Sequence, residues 1–279
     1  MVKAKEELRI RFVGAGNMAS SLIGGLLNCG FNNSQINASE PDAAQRHYVE
    51  SEFRISVYAD NNSNFGYPDI VILAVKPQVM KAVLADVGDK ITATKPLIIS
   101  VAAGITIEQM AAWINPQATH AIVRTMPNTP ALIGQGAIGM FANAFVLEAQ
   151  KSQTEDIMSA VGTALWVENE SLIDSVTALS GSGPAYFFAF MEALQTAAED
   201  LGLSTEQAAI LTQKTASGAA LLAERSSEEL ATLRQRVTSP NGTTAAALDS
   251  FERDRLKQAV KHAVTAAHER SIELSKEFD

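Results

Sequence analysis

The sequence predicts an α/β fold with a doubly wound sheet, followed by an all-α domain. Three observations predict it. The segment I-R-F-V-G-A-G-N-M-A at Ile10–Ala19 is an apolar strand that leads into a glycine-rich turn and a helix, as in Rossmann-type domains. Short β-branched runs then alternate with helical patterns as far as about Val167. After Ser171 the strand signals end, and alanine-rich helical periodicity continues. The expected domains are therefore residues 1–170 and 171–279.

Eight short runs in the first domain have the composition of β-strands. Two of them, Ile70–Val75 and Leu97–Val101, are apolar on both faces, as is typical of buried parallel strands. A capping box at Thr106 and Gln109 predicts a helix that extends through Trp113. The predicted strands are Leu8–Val13, Ile36–Ser39, Ile55–Val57, Ile70–Val75, Leu97–Val101, Ala121–Thr125, Ala137–Phe141 and Ala164–Val167.

The glycine-rich turn after the first strand predicts a dinucleotide site. Gly14 allows the tight turn, and Gly16 lets the backbone approach a pyrophosphate. Ala19, in the place of a third glycine, still permits close packing of helix and strand. The helix points its free N–H groups at the phosphates, and Gly30 ends its apolar pattern. The alternative is a glycine turn with a structural role alone.

The second domain reads as helical throughout. Pro184 suits the first turn of a helix, and Ser204 with Gln207 forms a capping box for another helix that extends through Leu222. The small residues Ala216–Ala220 allow a second helix to approach closely. Because an apolar helical domain of this kind is hard to bury alone, we expect it to pack against a second copy in a homodimer.

Composition argues against several kinds of partner. A net charge of −9 and a pI near 5.0 disfavour nucleic acid and anionic membranes. The sequence has no run of about 18 apolar residues, and its first residues lack the apolar core of a signal peptide. Cys29 is the single cysteine and is expected in the core. With four scattered histidines, we expect neither a disulfide within the chain nor a metal site. The expected location is the cytoplasm.

Three further loops are candidates for chemistry because ligands collect where strands end. In A-V-K-P-Q at Ala74–Gln78, the backbone is expected to contact cofactor. Lys76 is either a proton donor or anion clamp, or a solvated lysine. In R-T-M-P-N-T-P at Arg124–Pro130, Arg124 either binds an anion or forms a structural ion pair. The glycines of Ser180–Pro184 either shape a ligand loop or serve helix packing.

A fourth segment, V-T-S-P-N-G-T-T at Val237–Thr244, interrupts the helical domain. It presents N–H groups and hydroxyls at the start of the next helix, an arrangement that suits a carboxylate. The alternative is simple N-capping by Thr243 or Thr244.

Six motifs, in their order and spacing, resemble those of the Δ1-pyrroline-5-carboxylate reductase family over nearly the whole chain. They are G-A-G-N-M-A at Gly14–Ala19, A-V-K-P-Q at Ala74–Gln78, V-A-A-G at Val101–Gly104, R-T-M-P-N-T-P at Arg124–Pro130, L-S-G-S-G-P-A-Y at Leu179–Tyr186 and V-T-S-P-N-G-T-T at Val237–Thr244.

The resemblance implies a Rossmann domain followed by a helical domain for dimerisation and substrate binding. It further implies interleaved dimers that assemble into rings, and an active site between the Rossmann strand ends and the helical domain. The expected cofactor residues are those implied by the resemblance, together with Ser39 and Glu40 at the end of the second strand. They are Val13, Gly14, Ala15, Gly16, Asn17, Met18, Ser39, Glu40, Asn61, Ala74, Val75, Lys76, Pro77, Val101, Ala102 and Ala103. Those implied for the substrate are Ser239, Gly242, Thr243 and Thr244.

Two departures from the family pattern bear on the site. Asn241 stands where the family has glycine, but asparagine tolerates the left-handed conformation. After the second strand, Glu40 stands near the place of a family arginine that binds the 2′-phosphate of NADP. Glu40 either repels that phosphate or accepts a hydrogen bond from the 2′-hydroxyl of NAD, and Arg46 is a candidate to compensate. The expected cofactor is NADPH, with NADH as the alternative.

The reaction that the resemblance implies is hydride transfer to the C=N carbon of 1-pyrroline-5-carboxylate, giving L-proline. Since the matched loops contain no histidine or carboxylate, Thr244 or water held by it is the expected donor to the imine nitrogen. A β-hydroxyacid dehydrogenase is one alternative, but no lysine follows Gly181–Gly183 until Lys214. A non-enzymatic redox sensor is another, although it would not need the Val237–Thr244 loop.

Overall fold

The computed structural model describes residues 5–278, and contacts between Cα atoms divide them into two compact units. The first unit comprises residues up to Ser182 together with those from Ala267 onward, and the second is Gly183–Ala266. Compared with the expected domains, residues 171–182 and 267–278 group with the sheet. Among residues 5–278, no helix is long and apolar enough to cross a membrane.

The first unit contains one sheet of eight strands, and each overlaps a predicted strand. Its order is β3-β2-β1-β4-β5-β6-β7-β8. Strands β1 to β6 run parallel, β7 is antiparallel to β6, and β8 is parallel to β7. The strands are β1 Ile10–Val13, β2 Ile36–Ser39, β3 Ser56–Tyr58, β4 Ile70–Leu73, β5 Leu97–Ser100, β6 Ile122–Met126, β7 Gly136–Ala142 and β8 Gly162–Trp166.

Eleven α-helices accompany the sheet within the described residues. The helices are α1 Asn17–Asn28, α2 Ala43–Phe53, α3 Pro77–Thr94, α4 Ile107–Ile114, α5 Glu148–Ser159, α6 Leu172–Val176, α7 Gly183–Asp200, α8 Thr205–Glu224, α9 Leu230–Arg236, α10 Thr243–Arg253 and α11 Leu256–Lys276. Helix α11 begins in the second unit and ends in the first.

Alternate residues of the central strands pack into two separate cores. In β4, Ile70 and Ile72 join one core, and Val71 and Leu73 join the other, which also contains apolar residues of α3 and α4. This alternation explains why the run is apolar at every position, as expected of a strand buried on both faces. The expectation for Cys29 is wrong: it is the C-cap of α1 and is exposed.

The second unit is helical, and very few of its residues are buried. Both predicted helix starts are confirmed, with Pro184 in the first turn of α7 and the capping box of Ser204 and Gln207 before α8. Between residues 183 and 266, only Gly183, Ala208 and Thr212 are buried. Apolar side chains such as that of Phe187, which is 69% exposed, are therefore available to a partner.

Candidate functional site

The predicted cofactor segments gather at one edge of the sheet, because each follows the carboxyl end of a parallel strand. Main-chain hydrogen bonds hold neighbouring segments together. The Gly14 N–H donates to the Ser39 carbonyl at 2.9 Å, the Ala74 N–H to the Val13 carbonyl at 2.8 Å, and the Val101 N–H to the Leu73 carbonyl at 3.1 Å. The structure thus brings together the segments that end β1, β2, β4 and β5.

The two glycines of the turn have different structural roles. Gly14 has φ +89°, and a Cβ atom there would lie 2.6 Å from the Ala74 carbonyl oxygen. It is therefore required by the fold. Gly16 is the N-cap of α1, has φ −69°, and an added Cβ would meet nothing within 4 Å. The space beside Gly16 is open, as a bound pyrophosphate requires.

The start of α1 leaves N–H groups available beside this open space. The first hydrogen bond of the helix joins the Ser20 N–H to the Gly16 carbonyl at 2.9 Å, and the N-cap contributes no side-chain acceptor. The N–H groups of Asn17, Met18 and Ala19 thus precede the helical ladder. Helix α3 begins in a similar way, with the exposed Lys76 extended as N-cap and Pro77 in the first turn. The available N–H groups at the start of α1 and the open space beside Gly16 together fit a dinucleotide phosphate.

Glu40 contacts the glycine turn directly. One carboxylate oxygen accepts the Ala15 N–H at 3.0 Å, and the other accepts the Asp42 N–H at 3.1 Å. Arg46 donates to the carbonyl oxygens of Glu40 and Pro41 at 2.9 and 2.7 Å. The carboxylate is therefore fixed where the adenosine ribose of a dinucleotide lies in Rossmann domains, and the guanidinium of Arg46 contacts main-chain oxygens next to it.

Arg11 is a residue that the sequence reasoning missed. It lies within β1, its side chain is fully buried, and it bonds to the loop that carries Asn61. The signal was a charged residue inside the apolar strand I-R-F-V. Burial lowers the pKa of the Arg11 guanidinium to about 10.

Arg124 is buried and forms a structural ion pair with the partly exposed Glu170, which is one of the two interpretations left open above. Its guanidinium lies 3.1 Å from a Glu170 carboxylate oxygen and 3.8 Å from Asp174. Glu170 also accepts the N–H of Ile107 in the first turn of α4, and Asp174 accepts the Ser271 hydroxyl at 2.7 Å. The network joins β6, α4, α6 and the end of α11, so the charge of Arg124 is already compensated within the fold.

The segment Ser180–Pro184 is helical except for a bend at Ser182, so its interpretation as a loop is wrong. A π-helical turn at Thr177–Gly181 links α6 to α7. A Cβ on Gly181 would lie 2.6 Å from the methyl carbon of Met126, and the Asn128 side chain donates to the Ser180 carbonyl at 2.9 Å. The glycine thus serves close packing against Met126 at the end of β6.

The predicted substrate loop lies in the second unit, between α9 and α10. Asn241 adopts the left-handed conformation with φ +58°, as its place in the motif requires. Gly242 is the N-cap of α10 and has no side-chain capping bond, so Thr243 and Thr244 are the first helical residues and do not cap the helix. The first bond of the helical ladder joins the Ala246 N–H to the Gly242 carbonyl. The N–H groups of residues 243–245 precede that ladder and can receive an anion.

Fold and turn together define a dinucleotide-binding protein of the Rossmann class. A family model described as NADP oxidoreductase, coenzyme F420-dependent, matches residues 9–104, and one described as pyrroline-5-carboxylate reductase dimerisation matches residues 170–274. The chain is 51% identical to the pyrroline-5-carboxylate reductase of Pseudomonas aeruginosa over 97% of its own length and 98% of that protein. The chain belongs to the pyrroline-5-carboxylate reductase family.

Solved structures agree with this assignment. The pyrroline-5-carboxylate reductase of Coxiella burnetii superposes with a TM-score of 0.91 at 41% identity, covering 96% of this chain and 98% of that one. The pyrroline carboxylate reductase of Plasmodium falciparum, whose structure has NADP bound, superposes with a TM-score of 0.85 at 29% identity, covering 98% of this chain and 100% of that one.

Proposed function

We propose that this chain is a pyrroline-5-carboxylate reductase, which uses NAD(P)H to reduce the C=N bond of 1-pyrroline-5-carboxylate to L-proline, the last step of proline biosynthesis. One structural observation carries the proposal. The same chain has an open glycine turn at the start of α1 and an uncapped helix start in the loop V-T-S-P-N-G-T-T. The first suits a cofactor pyrophosphate and the second a substrate carboxylate.

The proposed cofactor residues are those of the four strand-end segments together with Glu40 and Asn61. They bind and orient the cofactor through main-chain N–H groups, as at Gly16 and the start of α1. When bound, the reduced nicotinamide supplies the hydride that the imine carbon receives. NADPH is the proposed donor, with NADH as the alternative; a relative that binds NADP supports this choice.

Ser239, Gly242, Thr243 and Thr244 are the proposed substrate residues. The N–H groups at the start of α10 hold the carboxylate, and their position next to the positive end of the helix favours an anion. The hydroxyl of Thr244, or water held by it, donates a proton or hydrogen bond to the imine nitrogen. That interaction makes the carbon more electrophilic. The amine product keeps one proton on nitrogen, and solvent water returns a proton to the donor.

The proposed assembly is a homodimer formed through the second unit, with rings of dimers as a further assembly. The exposed apolar side chains of α7 and α8 support a partner copy. The acidic net charge of −9 supports a small-molecule enzyme without nucleic acid as a partner. A cytoplasmic location is also proposed, and the presence of a single cysteine supports it.

The test compares reduction of pyrroline-5-carboxylate by the wild type, Thr244→Ala and Thr244→Ser. We expect wild-type turnover with formation of L-proline, measured by loss of reduced cofactor and by product analysis. Thr244→Ala should lower kcat/KM by about 1–3 kcal/mol of transition-state stabilisation, which is roughly 5- to 150-fold. Thr244→Ser keeps the hydroxyl and should retain most of the activity, while NADPH binding should change in neither variant.

Two results would contradict the proposal. Cofactor binding without turnover of pyrroline-5-carboxylate would favour the redox-sensor alternative, and oxidation of β-hydroxyacids would favour the dehydrogenase alternative. An unchanged kcat/KM in Thr244→Ala would remove Thr244 from the mechanism and leave the activity itself intact.

A further inference from the structure

The Arg11 side chain is a fully buried cation beneath the edge of the sheet that carries the predicted cofactor site. Its guanidinium donates to the Asn37 side-chain oxygen at 2.9 Å and lies over the rings of Tyr58 and Phe65, at 5.4 and 6.0 Å from their centres. Its Nε atom is buried without a hydrogen-bond partner among residues 5–278. A cation in such a place costs stability unless its contacts offset desolvation, which raises the question of its role.

Arg11 and Lys90 together fix the loop between β3 and β4. Arg11 donates to the main-chain carbonyls of Asn61 at 3.2 Å and Ser63 at 3.3 Å. Lys90, from α3, donates to the carbonyl of the intervening Asn62. Three successive carbonyl groups are therefore held by two cations from neighbouring elements, so the loop has one defined conformation there.

The consequence falls on the side chain of Asn61. Its oxygen accepts the Ser39 hydroxyl at 2.8 Å, which joins the loop to the carboxyl end of β2. This bond fixes the orientation of the Asn61 side chain, and its amide nitrogen is then the group that can donate to a ligand. Glu40, next to Ser39, supplies a carboxylate acceptor beside the glycine turn. A donor and an acceptor thus flank the position where the ribose of a dinucleotide lies at the end of β2.

We propose that Arg11 is a positioning residue for the adenosine end of the cofactor, acting through Asn61. This inference rests on the proposed function, since it assumes that a dinucleotide binds at this edge. Arg11 does not touch the cofactor; it holds the carbonyls of Asn61 and Ser63 so that the Asn61 amide stays at the ribose. At neutral pH the guanidinium remains protonated, because its lowered pKa of about 10 is still well above 7.

A double-mutant cycle with Asn61 separates this role from a stabilising one. ADP serves as the probe, because it contains the adenosine and pyrophosphate and lacks the nicotinamide. Calorimetry gives the ADP Kd for the wild type, Arg11→Met, Asn61→Ala and the double variant. The matched control is Arg9→Met, since Arg9 is an exposed arginine two positions earlier in the chain.

We expect Arg11→Met and Asn61→Ala each to raise the ADP Kd about tenfold, the loss expected for one hydrogen bond to the ligand. The ADP Kd of the double variant should lie within about twofold of that of Asn61→Ala, because both changes remove the same contact. Arg9→Met should bind ADP like the wild type. In turnover assays the KM for NADPH should rise in Arg11→Met, with kcat unchanged at saturation.

An unchanged ADP Kd in a folded Arg11→Met variant would overturn the inference, as would fully additive effects of the two substitutions. If Arg11→Met does not fold, Lys90→Met provides the same cycle, because Lys90 holds the neighbouring carbonyl of the loop. The ADP cycle involves no pyrroline-5-carboxylate. The ADP cycle can therefore give the expected result when the proposed activity is absent, and it can fail when that activity is present. The two proposals are tested separately.

Discussion

Glu40 offers a direct test of how this chain distinguishes NADPH from NADH. Its carboxylate is held by the Ala15 and Asp42 N–H groups, so its position does not depend on a ligand. The proposed variant is Glu40→Gln, which removes the charge and keeps an oxygen that can accept the Ala15 N–H. Any loss that the turn suffers acts on both cofactors alike and cancels in the ratio of their kcat/KM values.

The magnitude follows from electrostatics. A carboxylate and a phosphate charge about 6 Å apart repel by about 1.5–3 kcal/mol at an effective dielectric constant of about 20–40. Glu40 is half-buried, so solvent screens it and the lower end applies. The ratio of kcat/KM for NADPH to that for NADH should therefore rise about tenfold in Glu40→Gln, and further in Glu40→Arg, which adds a cation for the 2′-phosphate.

The assay measures initial rates with both cofactors at a fixed concentration of pyrroline-5-carboxylate. Glu52→Gln is the matched control, because Glu52 is an exposed glutamate on α2 and its loss changes the net charge equally. The control ratio should equal that of the wild type. If Glu40→Gln and Glu40→Arg leave the ratio within twofold of the wild type, the Glu40 carboxylate does not face the ribose and the reasoning is wrong.

Three further predictions follow from the fold. Gly14→Ala should lose more than about 2 kcal/mol of stability in thermal unfolding because of its positive φ and the clash behind it, whereas Gly16→Ala should fold normally and lose affinity for ADP in calorimetry. Glu170→Gln should cost about 1.5–3 kcal/mol in denaturant unfolding, since it removes the nearer of the two carboxylates beside a buried arginine; Glu148→Gln, in an exposed pair, should cost less than about 1 kcal/mol. Phe187→Asp should shift the proposed homodimer towards monomers in sedimentation, and a wild type that is monomeric and active at submicromolar concentration would contradict this.

Local composition was sufficient to predict the strands and the main helix starts. The central strands β4 and β5 are short runs made almost wholly of apolar residues, and the capping boxes at Thr106 and Ser204 are complete within four residues of sequence. The antiparallel direction of β7 was not predicted. A signal for it exists, because residues 127–135 are too few for the crossover that a parallel neighbour of β6 would need.

Features that depend on distant residues could not be predicted in this way. Gly181 and Gly183 indicated a loop, but the chain continues from a π-helical turn into α7, and Gly181 lies against Met126, which is 55 residues earlier in the sequence. The partner of Arg124 is Glu170, which lies 46 residues away in the sequence. An ion pair and an anion site both need an arginine at the end of a strand. The residues around Arg124 in the sequence therefore do not distinguish the two.

The burial pattern also bears on how the second unit is stabilised. A helical unit in which only Gly183, Ala208 and Thr212 are buried removes little apolar surface from water by itself. A dimerisation family model covers residues 170–274, which extends on both sides beyond that unit. The last turns of α11 are part of the first unit, where the Ser271 hydroxyl donates to Asp174 and the Ser275 carbonyl accepts the Gln109 side chain. We therefore infer that apolar burial in the second unit depends on a second copy of the chain, while the sheet of the first unit has cores of its own.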